Sequence, residues 1–168
     1  CHLSEPGPGG EPPLFTDFTY DNLGVPKNPG NPFYEAPRSV NLDRDEWIDP
    51  GLAGFLAGAG YSEDVWLPEL GKHKVPTLRN VDKRLAPGGF VKAYMHNGVF
   101  KSLEEVVHFY NTRDMSADDM STLGFEPVIW AEPEVPVNVN SDELGNLGLT
   151  PDEEAAIVAF MKTLTDGI

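Results

Sequence analysis

The sequence predicts an all-α fold of short helices joined by long loops. Gly (17) plus Pro (16) make 33 of 168 residues, about a fifth, too many for long regular elements. Three stretches, after Asp49, Ser102 and Thr150, carry helix caps followed by apolar residues at helical spacing. No run alternates well enough for a convincing strand, and there is no internal repeat. Hydrophobic residues are 40%, which excludes wholesale disorder. The expectation is one domain, 1–168, closed around something other than a large regular core.

Residues 3–38 hold eight prolines, which forbid a long helix there. Within them, residues 12–25 carry Phe15, Phe18, Tyr20, Leu23 and Val25 and read as an extended or looped apolar segment. A short helix is expected after Asp49-Pro50, with Asp49 as N-cap, Pro50 in first position and Leu52, Phe55 and Leu56 on one face. Its glycines weaken it but permit close approach of a flat partner. Residues 71–90 form a broken basic loop, in which Lys72, Lys74, Arg79, Lys83 and Arg84 are five of the twelve cations. That concentration in an acidic chain points to a local anion.

Ser102 and Glu105 form a capping box, and a helix is expected to about Asn111. Leu103, Val106, Val107 and Tyr110 fall on one stripe, which turns Tyr110 inward and leaves His108 off it. Residues 112–148 read as irregular. The final helix is capped by Thr150, with Pro151 in first position and Glu153 closing the box; its stripe is Ile157, Phe160, Met161 and Leu164, and Gly167 ends it.

Charge and cysteine narrow the function classes. Twelve cations less 27 carboxylates give −15, which argues against nucleic acid and against anionic membrane surfaces. The longest apolar run, 51–60, is half a membrane span. The single cysteine excludes an internal disulfide and every multi-cysteine zinc or iron–sulfur site. It is residue 1, followed by His2. A chain opening on Cys-His without an initiator Met is expected to be processed, or part of something longer. A C-x-x-C-H run attaches c-type haem, and these two residues would be its end. Alone, the dipeptide says almost nothing.

Four segments add to it: PPLFTDFTYDNLGVPKNP, GKHKVPTLRNV, AYMHNGVFKSLEEVVHFYN and LTPDEEAAIVAFMKTLT. Together and in this order they resemble the bacterial di-haem cytochrome c peroxidase family, which includes the MauG-type enzymes. The resemblance spans the chain and maps it to the C-terminal haem domain, a cytochrome c-like fold wrapped around haem c. It implies Cys1 as the second thioether cysteine and His2 as the proximal iron ligand. It places Lys72–Val81 along the haem edge, with Arg79 toward a propionate. The sixth ligand falls fourteen residues beyond His96, at Tyr110; Met115 and Met95 are the alternatives. The plainer reading of Tyr110 is a buried phenol hydrogen-bonded to backbone. His96 resembles the histidine near the cleft between the two haem domains, where it positions water or peroxide or bonds a loop carbonyl. An inter-domain calcium would use backbone oxygens at Val91 and Ala93, although the proline usual there is absent. His73 and His108 receive no role.

The resemblance implies a periplasmic enzyme reducing hydrogen peroxide with electrons from a small c-type cytochrome or cupredoxin. In the family the peroxidatic site lies in an N-terminal haem domain, so this chain alone is expected to reduce peroxide poorly. Two other functions stay open. One is a MauG-like oxidoreductase acting on a partner protein, toward which a Tyr ligand tilts; the other is a stand-alone mono-haem cytochrome c electron carrier. A structural reading without haem would leave the loops to pack on nine Phe, five Tyr and three Trp. A homodimer is compatible with all of them.

Overall fold

The computed structural model describes residues 1–83 and 93–165. The Val91 carbonyl, Arg84 and the helix end at Gly167 lie outside the described residues. Among the described residues are five α-helices: α1 (Leu52–Gly58), α2 (Glu63–Trp66), α3 (Leu103–Thr112), α4 (Ala117–Leu123) and α5 (Pro151–Thr163). The mainly helical expectation holds, with one correction. A two-stranded antiparallel sheet joins β1 (Tyr20–Asp21) to β2 (His73–Lys74), pairing Tyr20 with Lys74 and Asp21 with His73. Two residues per strand are too few for alternation to show in a sequence.

Both predicted capping boxes form. The Ser102 hydroxyl accepts from the Glu105 amide, and Thr150 does the same for Glu153. The first helix starts later than expected. The Asp49 carboxylate accepts from Gly51 N (2.9 Å), an Asx turn outside the helix rather than a cap. Gly51 is the residue before Leu52, with φ 58°, and a Cβ there would meet the Lys72 carbonyl oxygen at 2.2 Å. That close approach lets Leu52 N donate to Lys72 O (2.8 Å), so a neighbouring loop satisfies the helix start. Only Ala53 of α1 is buried, and Phe55 is exposed. The region 112–148 also contains an unforeseen helix, α4, capped by Ser116 accepting from Asp119 N and ended by Gly124 at φ 93°.

The core lies where α3 crosses α5. Leu103 and Val107 pack on Val158 and Met161, with Leu78, Val81 and Tyr94 against them. A second cluster joins Val25, Phe100 and Phe109, and Leu23, Met95, Tyr110 and Trp130 pack around it. The predicted stripe on α5 holds in part: Met161 and Leu164 are buried as expected, but Val158 joins them in place of Ile157 and Phe160, which are exposed. On α3 the most deeply buried side chains are Phe109, Asn111 and Thr112. Asn111 explains why polar residues go inside. Its side chain donates to Leu149 O and Glu154 Oε1 and accepts from Leu149 N, tying α3 to the segment that enters α5.

Candidate functional site

The apolar segment 14–20 and the loop 73–80 lie together. Val75 N donates to Thr19 O (2.8 Å), Thr16 Oγ1 donates to Val75 O (2.7 Å), and Thr77 Oγ1 donates to Leu14 O. His2 joins this seam, its Nδ1 lying 2.7 Å from the Phe15 carbonyl oxygen. A carbonyl can only accept, so Nδ1 carries a proton, and in the neutral ring Nε2 is the free lone pair. This is how a metal-binding histidine is oriented by its outer partner. Phe15 is itself fixed: it sits at φ 53°, and its ring meets Phe160 of α5 edge-on at 5.7 Å. Among the described residues His2 Nε2 has no protein partner.

Cys1 is exposed and its thiol is free. Its sulfur lies 3.9 Å from one carboxylate oxygen of Asp21 and 3.9 Å from one of Glu143. Asn140 Nδ2 bridges the same two carboxylates at 2.8 and 2.7 Å. A cavity of about 410 Å³ opens beside them. Tyr110 belongs to this corner. Burial first, and then the negative charge of Asp21, push its phenol up to about 12. Its hydroxyl makes no hydrogen bond among the described residues, so the backbone-bonded reading of Tyr110 is not what the structure shows. The ring packs on the Val25, Phe100 and Phe109 cluster, inward as the periodicity predicts.

The other nominated residues fall into place as follows. Arg79 is half-buried on the loop beside Leu14, and its amide donates to Thr77 Oγ1 (3.1 Å). Two of that loop's cations have partners within the protein: Lys72 pairs with Glu69 at 3.1 Å, and Lys74 donates to Val75 O and covers the Phe18 ring. Met95 takes φ 68° and packs against the second core cluster, as a core-filling residue would. Met115 lies one turn past α3, its amide bonded to Thr112 O. Ala93 is exposed.

Of the two settings expected for His96, the bond to a loop carbonyl is replaced by one to a carboxylate. Its Nε2 lies 3.2 Å from Glu134 Oε2, and its ring stacks on His73 with centroids 3.8 Å apart and planes 8° from parallel. The Glu134 carboxylate is only 1% exposed and also accepts from Asn97 Nδ2 (3.0 Å) and Asp49 N (3.3 Å). Burial, reinforced by His96, pushes the His73 imidazole below its usual range. His73, Glu134 and Asp49 were not nominated by the sequence. A carboxylate in a proline-rich stretch reads as surface, and nothing local marks it otherwise. His108 ties the helices together through Glu154 of α5 at 3.1 Å.

No family model matches the sequence. The methylamine utilization protein MauG of Paracoccus denitrificans is 34% identical over 167 residues, which cover 99% of this chain and 38% of that protein. The chain belongs to the MauG and cytochrome-c peroxidase family. The cytochrome-c peroxidase IdrP1 of Denitromonas iodatirespirans is 27% identical over 157 residues, 91% of this chain and 35% of that one. Among solved structures, a variant of the diheme peroxidase BthA from Burkholderia thailandensis E264 superposes with a TM-score of 0.68 at 28% identity, covering 99% of this chain and 38% of that chain. The chain thus spans under two fifths of the length of these family members. The match falls in their C-terminal part. Among the described residues no helix is long and apolar enough to cross a membrane.

Proposed function

We propose that this chain binds haem c and serves as the electron-exchanging C-terminal domain of a periplasmic di-haem peroxidase. The observation that carries this reading is the 2.7 Å bond from His2 Nδ1 to the Phe15 carbonyl, which presents a bare Nε2 next to the only cysteine. The residues fit the group: a free thiol, an oriented imidazole and an unbonded phenol converge on the segment 14–21 and its neighbours. Haem iron, when bound, supplies one-electron redox chemistry.

The protein's own residues do the following. Phe15, wedged against Phe160, keeps the His2 ring in the tautomer that ligates. Cys1 supplies the thiol for one covalent link. Tyr110 supplies a hard oxygen donor, and ligation requires it to give up a proton that burial and Asp21 hold tightly. Arg79 lies two residues beyond Thr77, which bonds the Leu14 carbonyl, and its planar fork suits a carboxylate. Reducing hydrogen peroxide to water consumes electrons and protons; this chain passes on electrons from a small cytochrome or cupredoxin, and the N-terminal haem domain holds the peroxide. His96, bonded to Glu134, is the group that would position water or peroxide where the two domains meet.

Tyr110 favours a second reading, MauG-type oxidation of a partner protein, because an oxygen ligand lowers the potential relative to a thioether. Absorption spectra of the oxidised and reduced protein, with a pyridine haemochrome, test the first reading. A c-type signal supports it, and a protein without haem overturns it. If Tyr110→Phe leaves the oxidised spectrum unchanged, the Tyr110 assignment falls and with it the tilt toward the second.

A further inference from the structure

We propose that Asp49, His73 and His96 form a binding site for one divalent transition-metal ion of the zinc and copper class. None of the three is a proposed ligand of the haem iron. One donor atom from each lies within 4.8 Å of the others. An ion bonded at about 2 Å to each needs its donors roughly 3.3 Å apart. The two rings now stack with centroids 3.8 Å apart and planes 8° from parallel, so loading the ion requires them to splay until both in-plane lone pairs meet it.

His73 provides an independent sign. Its Nε2 is buried and has no hydrogen-bond partner. Buried polar nitrogens are nearly always paired, and an orphan marks a missing ligand or a cost the fold bears. A cation seated between His73, His96 and Asp49 would supply the missing partner. His96 is held as metal-binding histidines are held, by a carboxylate on its ring: Glu134, 1% exposed and 3.2 Å away. Asp49 is kept in place from its backbone, its amide donating to Glu134 Oε1. Two imidazoles and a carboxylate are the donor set of zinc, copper, nickel and iron, not of calcium or magnesium.

Access is open. Asp49 and His73 line one wall of a cavity of about 500 Å³ that Tyr20, Leu52 and Phe55 also border. Lys72 and Lys74 border it as well, but each is turned to a partner of its own, Glu69 and the Val75 carbonyl. The β1–β2 pairing fixes His73 opposite Asp21, so the strand holds the imidazole while the 94–97 turn brings up its neighbour.

Calorimetric titration of the chelator-treated protein as isolated, with or without haem, with Zn²⁺ alone tests the site. One Zn²⁺ per chain is expected, with binding weakened at least tenfold by His73→Phe and again by Asp49→Asn, and without displacement by equimolar Ca²⁺. Zinc-edge X-ray absorption on the unmutated protein reads the donors without relying on a variant that folds. Two imidazoles with oxygen support the site. Sulfur or a single imidazole overturns it, as do unchanged affinity in the double variant, no binding at all, or displacement by Ca²⁺. These readouts do not depend on haem, so they stand or fall apart from the proposed function.

Discussion

His2 and Tyr110 are the residues on which the proposed chemistry turns, and they were legible to different degrees. Cys1-His2 is meaningless as a dipeptide and gained meaning only beside four distant segments. Tyr110 could be placed inward from the period of α3 alone. What periodicity could not give was its electrostatics, because Asp21 reaches it from β1, far away in sequence. Burial and Asp21 hold the phenol at about 12, against an ordinary 10. The folded protein therefore keeps a proton that the unfolded chain loses first. Stability from this residue is fully present below pH 10 and is lost as pH rises toward 12. In the haem-free protein, Tyr110→Phe should flatten that alkaline loss in a series of thermal melts. In the haem-loaded protein, Tyr110→Met should raise the reduction potential, since a soft thioether favours the reduced iron more than a phenolate does; an unchanged potential in redox titration would remove Tyr110 from the iron.

At the scale of elements, the capped helices α3 and α5 were readable because a capping box and a stripe are local signals. The stripe of α5 was legible only in part. Ile157, Val158, Phe160 and Met161 are all apolar, and which of them face inward depends on Leu103 and Val107 opposite. The helix α4 was missed although Ser116, Asp119 and Gly124 mark both its ends, because Asp118-Asp119 reads as a solvated run. The junction of α3 and α5 rests on Asn111, buried and bonded three times. Asn111→Ala leaves both backbone groups of Leu149 unpaired, and should cost about 2–4 kcal/mol in denaturant unfolding, more than its size suggests. Ser102→Ala removes one cap in an exposed position and should cost about 1 kcal/mol.

For the whole molecule, the formal −15 is the property most visible from composition, and it bears on encounter rather than on fold. If a basic donor protein reduces this domain, the second-order rate should fall roughly tenfold or more between low and physiological salt, read by stopped-flow reduction. A salt-independent rate would direct attention to an uncharged docking face. The loop-heavy architecture follows from the same logic as the glycine and proline count: segments 14–25 and 72–83 are joined to each other by backbone and threonine bonds, and His2 and Arg79 sit along that seam. The proposed function requires that this seam close against an iron porphyrin. Its most direct test is acid–acetone extraction of protein matured in a periplasm that attaches haem c, followed by the absorption spectrum of the pellet. Haem that stays with the polypeptide, and is lost on Cys1→Ala with His2→Ala, is the predicted result; a colourless pellet from protein that still melts cooperatively would contradict it.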